Sequence, residues 1–385
     1  MKNILLGFLA FCLVGCVTAT SAPVGIDQSG FPEFSWDSLP VALHFSKDTD
    51  FTEDELQFMS RFPLVCFEKH QGIRDHGNVR DGAYAASKAL KELNPKAKVL
   101  FYWNARIDNG RSYFGHNMLD NKHKVEWAQR DTLGKFILTR GTQRNYEPAI
   151  PEFRDWWVSV PAEALETGVM DGVFIDAIQQ HINKPGKRLG EKNMAASLAG
   201  VEDMLTKLSA TVGKERILIF NNFNPGNDLE TGYSKYANGG MIEHYCYRDT
   251  DTPDFNVKQI ETVQRAAREG RVMMVKCWPR YYFRKPGPMK GKTQEQIVAD
   301  VREDIVFPLA CYLVAAGKYS YFLYSWGWRD FHGIFVDYPE YHKPLGEPYG
   351  EAKKDGYIFT RSFKYADVWV DVENRKAKID WKDKE

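Results

Sequence analysis

The chain has no excess charge of either sign, few cysteines, and no apolar run long enough to hold it stably across a bilayer. Lys plus Arg and Asp plus Glu number 51 each, so no net field draws nucleic acid or an anionic membrane surface. No nucleic-acid partner is expected. Six cysteines in 385 residues follow no metal or disulfide spacing. There is no His-Glu-x-x-His and no Cys-x-x-Cys pair, so zinc lacks its usual ligand pattern, and neither a metal nor another cofactor is expected. A Gly-x-Ser-x-Gly nucleophile elbow is missing, as are internal repeats and low-complexity tracts. The histidines are scattered. Aromatic residues, by contrast, make up 14% of the chain, with 10 Trp and 19 Tyr. Their flat apolar faces and polar edges suit sugar rings as well as cores.

The N-terminus reads as a targeting segment. Lys2 precedes an apolar stretch from Ile4 to Val14, too short for a stable transmembrane helix. It runs into Leu13-Val14-Gly15-Cys16, which resembles a bacterial lipobox. That implies removal of residues 1–15, lipidation of Cys16, and attachment to the outer membrane or cell surface through that anchor. An ordinary signal peptide cut near Ser21-Ala22 would leave the protein periplasmic or secreted; either way it is exported. Export permits disulfides. Cys246 and Cys277 each follow a proposed strand end, so a bridge between them and buried free thiols both stand. Cys66 falls inside a strand and Cys311 inside a helical pattern.

Eight short apolar runs read as buried parallel strands: Val41–Phe45, Leu64–Glu68, Val99–Asn104, Gly172–Asp176, Ile217–Asn222, Gly240–His244, Val272–Lys276 and Tyr319–Tyr324. Helical patterns lie between many of them, at Thr52–Arg61, Tyr84–Leu93, Glu152–Thr167, Met194–Val212, Val257–Glu269 and Thr293–Ala316. Thr52 with Glu55 forms a capping box, and Gly317 is placed to close the last helix in a left-handed C-cap. This alternation predicts an α/β fold, a (β/α)8 barrel over residues 36–330, after a linker at 16–35. A doubly wound open sheet is the rival, but Phe45-Ser46-Lys47-Asp48 is no phosphate-binding turn. Residues 331–385 end in alternating runs, Tyr357–Phe363, Val368–Val372 and Ala377–Asp380. They predict a small β meander packed on the barrel.

Chemistry in such barrels sits at the C-terminal ends of the strands. Asp176 ends strand four and Glu243 ends strand six. An ionisable residue closing an apolar strand has little structural reason to be there. Strands two apart stand roughly 10 Å apart at the backbone, so inward-leaning carboxylates come within about 5–9 Å of each other. Two acids at that spacing can flank a glycosidic bond, one protonated and one ionised. Other strand ends supply binding candidates: Glu68 and Lys69, Trp103 and Asn104, Asn222, Tyr245, Lys276 and Trp278, and the Trp326-Gly327-Trp328 loop. Amides can bind sugar hydroxyls, and Trp can stack on a pyranose or form a hydrophobic lid. Asp171 and Glu68 have plainer readings as helix caps or ion-pair partners.

The block Asp171-Gly172-Val173-Phe174-Ile175-Asp176, preceded by Pro151-Glu152-Phe153-Arg154-Asp155-Trp156-Trp157, resembles exported TIM-barrel glycoside hydrolases of the polygalactosaminidase-like and related uncharacterised hydrolase families. The tail Pro344-Leu345-Gly346-Glu347-Pro348 with Phe359-Thr360-Arg361-Ser362-Phe363 is also similar. The resemblance implies Asp176 and Glu243 as the catalytic pair. Strand seven ends in Lys276, which departs from barrels whose second acid lies there, and the Asp-x-x-Asp-x-Asp-x-Glu signature of chitinase-like barrels is absent.

The expected activity is hydrolysis of O-glycosidic bonds in a polysaccharide or oligosaccharide. Asp176 is the expected nucleophile or general base and Glu243 the general acid, with the roles open to exchange. Lys69, His70, Arg106, Lys276, Arg280 and Arg329 crowd the same face. They suggest an anionic glycan unless they pair with carboxylates. A non-catalytic glycan-binding lipoprotein on the same barrel is the alternative; a barrel enzyme acting on a non-sugar substrate is a third reading.

Overall fold

A computed structural model describes residues 25–107, 121–183, 186–226, 232–247, 251–280 and 289–383. Cys16 and the targeting segment lie outside the described residues. The eight central strands are β1 (Leu43–Phe45), β2 (Leu64–Phe67), β3 (Lys98–Asn104), β4 (Gly172–Asp176), β5 (Ile217–Asn221), β6 (Gly239–Ile242), β7 (Val272–Cys277) and β8 (Ser320–Tyr324). They pair in parallel in chain order. The ring closes where Ala42 N donates to Phe322 O at 3.1 Å and Phe322 N to Pro40 O at 2.8 Å. This is the (β/α)8 barrel.

Strand alternation sorts the apolar residues into two cores. Leu64, Cys66, Leu100, Tyr102, Phe174, Ile219, Met241, Met274 and Leu323 fill the barrel interior. Val65, Phe101, Trp103, Val173, Ile175, Phe220 and Val275 face the helices. Those helices are α1 (Glu53–Met59), α2 (Val79–Leu93), α3 (Pro151–Glu166), α4 (Glu191–Val212), α5 (Pro253–Arg268), α6 (Gln294–Glu303) and α7 (Val306–Ala315). Thr52 and Glu55 form the expected capping box. Asp171 serves structure, accepting from Val99 N at 2.8 Å and pairing with Lys91 at 2.8 Å.

Several expectations need correction. The single helix Thr293–Ala316 is two helices, α6 and α7, divided at Asp304. Pro308 has no N–H for the Asp304 carbonyl and its ring would strike that carbonyl, so a continuous helix fails there. Gly317 does not adopt a left-handed backbone. It is small because a Cβ there would stand 2.5 Å from the Ala267 side chain. The described part of the 16–35 linker is packed rather than free. Phe31 and Phe34 lie edge-on to Tyr319, with centroids 5.1 and 5.7 Å away, and join the interior core. Cys66, Cys246, Cys277 and Cys311 are all buried free thiols, so no Cys246–Cys277 bridge forms.

The C-terminal meander has four antiparallel strands, β9 (Lys353–Asp355), β10 (Ile358–Phe363), β11 (Ala366–Asp371) and β12 (Lys376–Trp381). One face buries Phe359, Phe363, Val368 and Val370 in the same core as the residues of α7.

Candidate active site

Register brings the polar strand ends into one layer. Asn104 on β3 pairs directly with Asp176 on β4. On β5, Ile217, Ile219 and Asn221 share the inward parity, so Asn221 is the strand-five amide that points at the acids. Its Oδ1 accepts the Asn222 N–H at 2.7 Å, which fixes the amide so that its NH₂ faces the barrel mouth. Nδ2 then stands 2.9 Å from Asp176 Oδ1 and 3.4 Å from Glu243 Oε2. Asn222, the expected ligand, instead adopts a left-handed backbone (φ 70°) and lines the adjoining cleft.

Asp176 is held by donors on both oxygens. Besides Asn221 on Oδ1, Oδ2 receives the Tyr102 hydroxyl at 2.5 Å and Asn104 Nδ2 at 3.4 Å. Tyr102 was not singled out above, although it shares the inward parity of Asn104 two residues on. Ala177, immediately after Asp176, also has a left-handed backbone (φ 66°). Non-glycine residues in that region cost about 1–3 kcal/mol and cluster at functional sites.

Glu243 is the first residue past β6. Its main-chain carbonyl accepts from the Trp278 indole N–H, and its Oε1 accepts from Trp328 Nε1 at 2.7 Å. The residue opens partly to the cleft while its carboxyl is ringed by protein. Burial, with the charges of Asp176 and Glu68, pushes its pKa up to about 7. Glu243 is thus poised to keep its proton beside an Asp176 whose two oxygens both meet donors.

Glu68 is buried under this pair. Its Oε2 accepts from Lys69 Nζ at 2.7 Å, and His44 Nε2 lies 3.6 Å from its Oε1. Burial pushes the His44 pKa well down. Lys69 also stands 3.5 Å from the Tyr102 hydroxyl. Lys276 is 1% exposed and reaches Ser325 Oγ and Gly327 O beneath the strand-eight loop. It therefore lies behind the wall of the cleft. Burial lowers its pKa to about 8 against the opposing pull of Glu243 and Glu68.

Besides Lys276, three more of the proposed binding residues are not in the cleft. Trp103 faces outward and donates to Trp157 O at 3.0 Å. That carbonyl is the one left without a helical partner by Pro161, four residues on within α3. Tyr245 is wholly buried and donates to Cys311 O at 2.9 Å. Trp326 is 3% exposed and joins the outer core. Trp278 and Trp328 do border Glu243, edge to face with centroids 5.1 Å apart. Among the crowded cations, Arg280 pairs with Asp304 and Arg329 with Asp48, both at 2.5 Å. Arg106 donates to Gln180 O at 2.5 Å.

From the acids a cleft of about 320 Å³ opens over the ends of β4, β5 and β6, lined by Gln179, Gln180, Asn222, Asn224, His244 and Gln259 among others. Of its amides only Asn222 stands out in the sequence; Gln179, Gln180 and Asn224 follow strand ends in segments whose course the strand pattern leaves open, and Gln259 reaches in from α5.

A family model described as hypothetical glycosyl hydrolase family 15 matches residues 91–367, which span Asn104, Asp176, Asn221, Glu243, Lys276 and Trp328. Similar solved structures include an α-amylase from Geobacillus thermoleovorans in complex with acarbose, with 11% identity, 88% of this chain and 87% of that chain covered, and a TM-score of 0.47. A maltogenic α-amylase, AmyB, from Thermotoga neapolitana shows 11% identity over 89% of this chain and 93% of its own, with a TM-score of 0.47. Ega3 from Aspergillus fumigatus, in complex with galactosamine, shows 11% identity over 65% and 81%, with a TM-score of 0.41. No curated protein matches the chain.

Proposed function

The chain belongs to the hypothetical glycosyl hydrolase family 15, and on that footing we propose that it cleaves O-glycosidic bonds of a polysaccharide or oligosaccharide with retention of configuration. The observation that carries this reading is the Asn221 amide between the two acids. It holds the two facing oxygens, Asp176 Oδ1 and Glu243 Oε2, no farther apart than the combined length of its two contacts, about 6.3 Å, so both acids reach one glycosidic bond, and a shared amide favours the closer, retaining arrangement over one that admits a water between them.

Asp176 is the nucleophile. Oδ1 attacks the anomeric carbon, since Oδ2 is engaged by both Tyr102 and Asn104. As the C–O bond to the leaving group breaks, Glu243 passes its proton to the departing oxygen. In the second half, the Glu243 carboxylate takes a proton from water as the water oxygen attacks the same carbon, and Asp176 is released. The amide-lined cleft beside Glu243 receives sugar hydroxyls. The ion pairs of Lys69, Arg280 and Arg329 favour an uncharged glycan over an anionic one. The lipobox-like Leu13–Cys16 supports action at a membrane surface.

Release of reducing sugar from a polysaccharide panel tests the activity. Asp176→Asn and Glu243→Gln should each lose at least about a thousandfold in rate while still binding the glycan. A glycan bound by wild type and by both variants, yet cut by none of the three, would leave a binding protein instead.

A further inference from the structure

Glu243 has two oxygens, and the structure treats them differently. Oε1 accepts the Trp328 indole N–H at 2.7 Å. Oε2 faces Asn221 and, beyond it, Asp176, at 3.4 Å from the amide nitrogen. An indole N–H can only donate, so an oxygen in that contact serves best as a carbonyl or carboxylate acceptor.

Trp328 is in turn immobilised through its loop. Lys276 donates to Ser325 Oγ and to Gly327 O, the latter at 3.1 Å. Ser325 Oγ also donates to Gly327 O at 2.8 Å. Trp326 N donates to His332 O at 3.1 Å, and Ser46 N donates to Trp328 O at 2.9 Å. A Cβ on Gly327 would fall 2.0 Å from His332 Nδ1, so the loop closes this tightly only with glycine there. Each residue from 325 to 328 is therefore tied down, and the indole ring is braced edge to face against Trp278.

We propose that Trp328 is a positioning residue that confines the acidic proton of Glu243 to Oε2, the oxygen nearer the nucleophile, and that Lys276 keeps Trp328 in place for this task. The proposal rests on the assignment of Glu243 as general acid. It explains why a lysine stands one residue before the end of β7. Its Nζ donates to Ser325 Oγ and Gly327 O under the loop, where it supports the proton donor without touching substrate. Charged groups around Glu243 are Asp176 on β4, Glu68 and Lys69 after β2 and Lys276 on β7, with His244 next in its own loop; the indole contact on Oε1 at 2.7 Å is much shorter than the amide contact on Oε2 at 3.4 Å, and this difference distinguishes the two oxygens.

The test needs no substrate. In protein carrying ¹⁵N-labelled tryptophan, one of the 10 indole resonances should titrate together with the Glu243 carboxyl, vanish in Trp328→Phe, and stop titrating in Glu243→Gln. In pH-difference infrared spectra, Trp328→Phe should move the protonated-carboxyl C=O band of Glu243 to higher frequency. It should also raise the titration midpoint by about one pH unit or less, because a donor to the anion is lost. Lys276→Met should leave the Trp328 resonance insensitive to pH, an effect that loss of charge alone does not produce. A Trp328 resonance that ignores pH in the wild type, or a carboxyl band unchanged in a folded Trp328→Phe, would overturn the proton assignment. A resonance that still titrates in Lys276→Met would overturn the part given to Lys276. Neither readout depends on hydrolysis, so failure to release sugar would count against the hydrolase reading alone.

Discussion

Asn221 joins the two acids through a single amide, and one substitution separates its roles. Asn221→Asp keeps the shape but replaces a shared donor with a third carboxylate. Activity should fall about a hundredfold, as for loss of one oriented donor. The alkaline limb of the pH–rate profile should also move above its wild-type position, because Glu243 loses a hydrogen bond that lowers its pKa and gains a repelling charge. In the wild type that limb should lie near pH 7, since only protonated Glu243 can donate. The same pKa bears on stability. Glu243 holds its proton more tightly in the fold than in the unfolded chain, so the stability it confers is present below about pH 4.5 and lost as pH rises through about 7. Glu243→Gln should therefore gain stability over wild type across that window. Denaturant midpoints should show up to about 3 kcal/mol by pH 8, less what cleft water screens. At this scale the sequence was partly legible. Asp176 and Glu243 stand out as acids ending apolar runs, and strand parity would have chosen Asn221 over Asn222 and added Tyr102. The outward turn of Trp103 follows the same parity, but its partner could not be read, because the free Trp157 carbonyl exists only once Pro161 sits inside α3.

That pairing of a helix proline with a strand tryptophan is an element-scale device. Trp103 donates to Trp157 O, and Trp157 donates back to Asn104 O at 3.0 Å, so α3 is locked to β3 beside a residue that contacts Asp176. Trp103→Phe should leave the Trp157 carbonyl buried without its indole partner and destabilise the protein by about 1–3 kcal/mol, read as a lower midpoint in urea. It should also loosen Asn104 and reduce activity modestly. Pro308 acts in the opposite sense by breaking a helix, and the sequence did contain that signal. An apolar period running unbroken from Ile297 to Ala315 masked it, because periodicity reports the buried face and not the continuity of the backbone.

For the molecule as a whole, the C-terminal sheet completes the barrel's outer shell. Arg361 on β10 reaches across to Leu313 O and Ala316 O, at 2.9 and 2.5 Å, closing the C-terminal end of α7. Burial lowers its pKa to about 10, so it stays charged at neutral pH and satisfies helix-end carbonyls that would otherwise be unpaired. Arg361→Leu should cost about 2–3 kcal/mol while leaving a single unfolding transition in calorimetry. Two separated transitions in the wild type would show that sheet and barrel fold independently.

The order of strands and helices, the inward and outward faces, and the two acids were set by local pattern. A parallel barrel writes its architecture into short apolar runs, and alternation alone assigns their faces. Which polar side chains meet was decided only by tertiary structure. Asn221, Tyr102, Trp328 and Lys276 come from strands and loops far apart in sequence, and their hydrogen bonds depend on register and loop course, which no run of neighbouring residues encodes.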